Sequence, residues 1–259
     1  MQDFATGLHY IRCMSPARYL LVSDLHLDAG LPHAVELFLQ FLRGTARDAD
    51  ALYILGDLFE TWVGDDDDEP VRNTVCDALR EYTSRETPCY VIRGNRDFLL
   101  GPGFERRSGC RLLPDPLRLD AGDLRAVLSH GDLLCTADHG YQQFRQFTRE
   151  AQTQARFLSL PLPTRRAMAA AARAGSREHT RGMPEAIMDV DPQAVQAMLR
   201  AGEAPLLVHG HTHRPAVHQV QLDGKPATRI VLGDWYEQGS ALALYSDARY
   251  ETVQLSRAA

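Results

Sequence analysis

Tyr19-Leu-Leu-Val-Ser-Asp24-Leu-His26 is the stretch that decides the fold: an apolar, β-like run that ends in a carboxylate and an imidazole. Four further runs are built the same way. Ala51-Leu-Tyr-Ile-Leu precedes Gly56-Asp57, Cys89-Tyr-Val-Ile precedes Arg93-Gly94-Asn95-Arg96-Asp97, Ala126-Val-Leu-Ser precedes His130-Gly-Asp132, and Leu206-Leu-Val precedes His209-Gly-His211-Thr-His213. Short apolar stretches closed by turn residues predict strands buried on both faces. In open α/β sheets ligands gather beyond the carboxyl ends of such strands, so these polar groups are expected to converge.

Carboxylate, amide and imidazole donors without cysteine point away from a structural zinc site. They suit a harder or borderline divalent ion, manganese first, with other divalent ions possible. One shared carboxylate can bridge two ions roughly 3.5–4 Å apart, a spacing that clamps the attacking and leaving oxygens of a phosphoryl displacement. Asp57 is the natural bridge. Taken singly, a His or Asp at a strand end is more often a cap or turn former; the ordered set of five makes a two-metal site the better reading. Asp132 is expected to orient a ligand or turn, and His213 to support a ligand from behind.

The 259 residues suffice for one large α/β domain spanning 1–259 with an insertion. A formal charge of −6 argues against a surface that coats nucleic acid, so nuclease activity is disfavoured and no nucleic-acid partner is expected. Cys13, Cys76, Cys89, Cys110 and Cys135 have no zinc-like spacing and read as reduced thiols of a cytosolic protein. Asp3 and other polar groups interrupt the first twenty residues, which predicts no secretory signal. No stretch approaches the roughly 18 apolar residues of a spanning helix.

His33 to about Arg43, with Val35, Phe38, Leu39 and Leu42, and Val71 to Tyr82, with Val75 and Leu79, have helical spacing and predict helices covering one sheet face. Val217–Leu222, Arg229–Leu232, Ala241–Tyr245 and Tyr250–Leu255 predict antiparallel strands of a second sheet packed on the first. The acidic run Asp65–Glu69 reads as a solvated cluster at a helix start. Residues 138–191 separate the fourth and fifth motifs and predict helices: Tyr141, Phe144, Phe147 and Ala151 are helically spaced, and Arg165–Arg173 resumes the pattern. Such an insertion either packs its apolar residues on the core or hangs over the site as a lid.

The set DxH, GD, GN, H and GHxH resembles the calcineurin-like metallophosphoesterase superfamily. The resemblance implies an α/β two-sheet sandwich flanked by helices. It also implies two ions, one held by Asp24, His26, Asp57 and His211, the other by Asp57, Asn95, His130 and His209. Many members resemble one another in placing His after Gly-Asn, where it can protonate an alkoxide leaving group; this chain has Arg96. A guanidinium cannot give up a proton, but it grips phosphate oxygens. A phosphate leaving group, with a second pKa of about 6, departs without proton donation, so a pyrophosphate substrate is favoured.

Longer motifs narrow the resemblance. Leu55-Gly-Asp-Leu-Phe-Glu60, Trp62-Val-Gly-Asp-Asp-Asp67, Arg93-Gly-Asn-Arg-Asp-Phe-Leu-Leu-Gly101, Ala186-Ile-Met-Asp-Val190 and His209-Gly-His-Thr-His-Arg-Pro-Ala-Val-His218 are similar to the UDP-2,3-diacylglucosamine pyrophosphatase family of bacterial lipid A synthesis, from about Tyr19 to Val253. That similarity implies hydrolysis of UDP-2,3-diacylglucosamine to UMP and 2,3-diacylglucosamine 1-phosphate, two Mn²⁺ ions, and attack of metal-activated water on the uridine-side phosphorus. Asn95 and Arg96 match the family's catalytic, phosphate-contacting pair. Asp138, Ser176, Thr180 and His209 match its further substrate contacts. Where many relatives have a lysine three residues after Thr180 this chain has Met183, so that contact is not carried over; Arg181 replaces its charge only if the helix phase allows.

A diacylated substrate shifts the reading of 138–191 to a lid that meets acyl chains, each buried CH₂ contributing about 0.8 kcal/mol. The implied setting is a monomer held peripherally on the cytoplasmic face of the bacterial inner membrane. Two alternatives stand beside it: a broad nucleotide pyrophosphatase indifferent to acylation, and an inactive scaffold of the same fold. Retention of all seven ligand positions argues against the second.

Overall fold

Strand β1 (Arg18–Val22) alternates its side chains between two apolar layers, which explains its unbroken hydrophobic run. Leu20 and Val22 face a layer shared with helices, and Leu21 faces a second sheet. β2 (Ala51–Leu55) divides likewise, Leu52 and Ile54 one way and Tyr53 and Leu55 the other. These assignments come from a computed structural model that describes residues 15–181 and 189–255, with side chains described to Ser176 in the helix ending the first span. Cys13 and Met183 lie outside the described residues, and Arg181 and Thr180 are described by backbone alone.

The first sheet runs β11-β10-β1-β2-β3-β4, with β3 at Cys89–Ile92, β4 at Arg111–Leu113, β10 at Gly239–Tyr245 and β11 at Tyr250–Leu255. The second runs β5-β6-β7-β9-β8, with β5 at Leu117–Ala121, β6 at Leu124–Ser129, β7 at Leu206–His209, β8 at Ala216–Leu222 and β9 at Lys225–Val231. β1 to β4 are parallel, as are β6, β7 and β9. Leu21, Leu55 and Ile92 meet Leu128, Val208 and Ile230 between the sheets. One sequence expectation is corrected: β10 and β11 extend the first sheet rather than the second. β10 pairs antiparallel with β1 because its Ala241 and Ala243 fit the helix layer while Leu242 and Leu244 fill the inter-sheet layer.

Helices α1 (Pro32–Arg43) and α2 (Pro70–Thr83) cover the outer face of the first sheet, each beginning on a proline whose missing N–H costs nothing at that position. Glu69 caps α2 by accepting from Arg72 N at 3.0 Å. α3 (Pro102–Ser108) packs beside α2. Between β6 and β7 come α4 (His139–Arg149), α5 (Ala151–Leu158) and α6 (Leu162–Arg181), followed by α7 (Pro192–Ala201), which puts Val195 and Leu199 on the second sheet's outer face.

The acidic run is not simply solvated. Asp65 accepts from Trp62 Nε1, Gly101 N and Gly103 N, Asp66 pairs with the buried Arg165 of α6, and Asp67, itself buried, pairs with Arg72 and Arg166. The run therefore fastens the insertion to the body. Asp68 is the most exposed of the pairing aspartates and lies 3.7 Å from Arg166 Nη2. On the insertion, Phe144 and Phe147 are 49% and 58% exposed, so these rings do not pack on the core.

Candidate metal centre and active site

The five strand-end segments meet where the C-terminal edges of both sheets adjoin. Asp24, His26, Asp57 and Asn95 come from the first sheet; His130, His209 and His211 come from the second. Backbone bonds zip the loops together: Asp24 N donates to Gly56 O at 3.1 Å, His26 N to Asp57 O at 2.9 Å and Gly210 N to His130 O at 2.9 Å. A Cβ on Gly94 would overlap the Asp57 carboxylate, so only glycine lets the third loop lie against the second.

Asn95 Oδ1 stands between two imidazoles, 2.8 Å from His130 Nε2 and 3.0 Å from His211 Nδ1. His211 also donates its backbone N–H to Asp24 Oδ2 at 2.9 Å. Asp57 Oδ2 lies 3.8 Å from His26 Nε2, and its Oδ1 lies 3.8 Å from His130 Nε2. One carboxylate thus faces both clusters. Asp24, Asp57 and His130 offer ligand atoms within 4.8 Å of one another, as do Asp24, His26 and His213. The second group places His213 closer to a ligand's position than the supporting role expected from sequence.

The second nitrogen of each imidazole sets the direction of the first. His130 Nδ1 lies 2.9 Å from Leu55 O and His209 Nδ1 2.8 Å from Gly210 O; each contact requires Nδ1–H as donor, leaving Nε2 directed inward. His209 Nε2 is buried without a hydrogen-bond partner, and Asp24 Oδ1, equally buried, meets only the ion-pair contact of His213 Nε2 at 3.4 Å. Such under-partnered atoms are costly in a sealed protein, and a divalent cation satisfies both. The donor set therefore fits a divalent metal.

Burial, reinforced by neighbouring charges, holds His209 at about 3, so its ring is neutral at working pH. His211 lies at about 4, through burial and then the charge of His130. Burial also opposes protonation of His130, yet Asp57, Asp132, Asp24 and Asp115 push it up to about 9. Burial works to raise Asp24, but contact with His213 and the charges of three imidazoles bring it below the usual carboxylate range.

Arg96 donates its backbone N–H to Asp57 Oδ1 at 2.8 Å, and its Nε is buried without a partner. The guanidinium of the predicted phosphate-gripping residue thus keeps an unused donor beside the carboxylate. Asp138 caps α4, accepting from Tyr141 N at 2.9 Å, and Ser176 is exposed on α6. Both predicted substrate contacts lie on the insertion, not in the metal cluster. Asp132 accepts from Tyr141 Oη at 2.7 Å and Arg145 Nε at 2.8 Å, so it anchors α4. Arg149 reaches on to Gly94 O at 2.8 Å.

Four residues given no role from sequence complete the surroundings. Glu60 accepts from His26 Nδ1 at 2.7 Å, and Asp97 holds Gly94 N at 2.7 Å and Leu58 N at 2.8 Å. Tyr236 stacks on His26 with ring centres 5.2 Å apart, and Asp234 lies 3.5 Å from His213 Nδ1. Glu60 and Asp97 sit inside the quoted motifs, which was their one sequence signal.

The family model for calcineurin-like phosphoesterases matches residues 17–215. The chain is 51% identical over 230 residues to a protein of Stenotrophomonas maltophilia named UDP-2,3-diacylglucosamine hydrolase, covering 86% of this chain and 93% of that one. It is 51% identical to the protein of that name from Aeromonas hydrophila, covering 86% and 92%. It is 48% identical to the one from Xanthomonas oryzae pv. oryzae, covering 88% and 95%.

Proposed function

The chain belongs to the calcineurin-like phosphoesterase family, and we propose that it is a metal-dependent hydrolase that cleaves the pyrophosphate of UDP-2,3-diacylglucosamine to UMP and 2,3-diacylglucosamine 1-phosphate, a step of lipid A biosynthesis. The single observation that carries this reading is the convergence of ligand-type residues from five strand ends, Asp57 among them, with Arg96 beside it.

In this reading Asp24, His26, Asp57 and His211 would hold one ion, and Asp57, Asn95, His130 and His209 the other. When bound, two Mn²⁺ ions supply Lewis-acid charge to the phosphoryl oxygens and make water nucleophilic at neutral pH. The protein's own groups bind and orient. Arg96 offers its unpaired Nε–H to a phosphate oxygen, where fixed positive charge stabilises the charge spreading in the transition state. Asn95, locked by two imidazoles, presents its amide to the same phosphate, and Asp97 fixes the loop carrying both. No side chain supplies a proton to the leaving phosphate, which needs none.

Residues 138–191 act as a lid in this reading. Asp138, Ser176 and Thr180 contact the glucosamine phosphate, while exposed Phe144, Phe147, Leu158 and Met168 suit acyl chains and a membrane surface. No helix among the described residues is long and apolar enough to cross a membrane, so contact with the cytoplasmic face of the inner membrane would be peripheral. The chain is read as working alone, without nucleic acid.

Product mass spectrometry in ¹⁸O-labelled water with Mn²⁺ tests the proposal. The expected result is one labelled oxygen in UMP. Label in the lipid phosphate would overturn the side of attack, and equal rates on unacylated UDP-sugars would overturn the lipid substrate.

A further inference from the structure

The Glu60 carboxylate is engaged on both of its oxygens. Oε2 accepts from His26 Nδ1 at 2.7 Å, and Oε1 pairs with Arg173 Nη2 on α6. Arg173 Nη1 also reaches Thr61 Oγ1 at 3.4 Å. The Glu60 side chain is 12% exposed and that of His26 2%, so the contact is little screened by water. One acid therefore spans a residue of the metal centre and a helix of the insertion. With Nδ1 turned to Glu60, His26 Nε2 faces His213 Nε2 at 3.3 Å and Asp57 at 3.8 Å. The other two α6 arginines with described side chains are placed differently: Arg165 meets Asp66 and Val63 O, and Arg166 meets Asp67.

We propose that Glu60 is a positioning residue that couples the docking of α6 to the metal grip of His26. The inference rests on the metal part of the reading above and requires no particular substrate. With Arg173 in place, the carboxylate is held on both sides and the imidazole is fixed by it. When α6 leaves, Glu60 loses its cation and His26 loses its orientation. The coupling is reciprocal: the factor that docking adds to cation affinity is the factor that the cation adds to docking.

The test uses the full chain, stripped of metal and without substrate. Calorimetric Mn²⁺ titrations compare wild type with Glu60→Gln, Arg173→Ala, Arg173→Lys and Arg165→Ala, and amide exchange in α6 is followed with and without Mn²⁺. Glu60→Gln and Arg173→Ala should weaken one Mn²⁺ step on the order of 10-fold, with Arg173→Lys restoring most of it. Mn²⁺ should slow α6 exchange in wild type and not in Glu60→Gln. Arg165→Ala, which leaves the Arg173–Glu60 pair intact while α6 is docked, should speed α6 exchange and weaken Mn²⁺ binding clearly less than Arg173→Ala does. The proposal is overturned if Arg173→Ala binds Mn²⁺ as wild type does, or if Arg165→Ala weakens it as much as Arg173→Ala. Wild type that takes up no divalent cation would overturn the metal reading as well, which separates the two failures.

Discussion

Asp24, His26, Asp57, His211 and His213 hold φ between 49° and 70°, a region that side chains enter at a cost of about 1–3 kcal/mol each. The cost is concentrated where the loops must turn ligand atoms inward. Asp57→Asn separates geometry from charge, because asparagine tolerates this conformation. The thermal midpoint of metal-stripped protein should stay near that of wild type, while Mn²⁺-stimulated UMP release should fall about 1000-fold, several kcal/mol of lost charge stabilisation. His130 gives the pH dependence. With its pKa at about 9, its proton stabilises the metal-stripped fold below the ordinary histidine pKa and that contribution is lost as pH rises through 9. Since a ligand must be neutral, Mn²⁺ affinity measured by calorimetry should climb about tenfold per pH unit from pH 7 and level off near 9. A flat profile would contradict this. The seven expected ligand positions were legible because each lies at or within a few residues of the end of an apolar run. Tyr236 and Asp234 were not, since they reach His26 and His213 only through the folded chain.

At the scale of elements, the latch between Asp65–Glu69 and α6 shows what a charge run conceals. In sequence it is a polar stretch before a proline; its partners Arg165 and Arg166 lie about a hundred residues away. Arg165 is 2% exposed and bonds Val63 O and Asp66, so Arg165→Ala should destabilise docking of α5 and α6 by about 1–3 kcal/mol. Limited proteolysis should then cut the insertion sooner than the sandwich. On α4, Phe147→Asp should reduce hydrolysis of the long-chain substrate at least tenfold more than that of a short-chain analogue, about 1.4 kcal/mol of acyl contact. Equal losses would assign Phe147 to the fold alone. The β10 and β11 strands were legible as strands but not in their sheet. Partner choice there depends on β1, more than two hundred residues earlier, and leaves no local mark.

The whole molecule is two sheets that share one inner layer and end at one centre. Because cation binding favours the folded chain, Mn²⁺ at 100 times its Kd should add about 2.7 kcal/mol for each ion, raising the melting temperature by about 5–15 °C in calorimetry. No shift would leave the converged side chains without their proposed occupant. The two-sheet architecture follows from runs buried on both faces, which any reader of the sequence can see; the meeting of the sheets at Asn95 cannot be read there. That amide is rooted in one sheet and gripped by histidines of the other. It acts as a caliper: any slip of one leaf past its neighbour alters the spacing of the proposed ligands before anything melts, so selection for turnover would also discipline packing far from the chemistry.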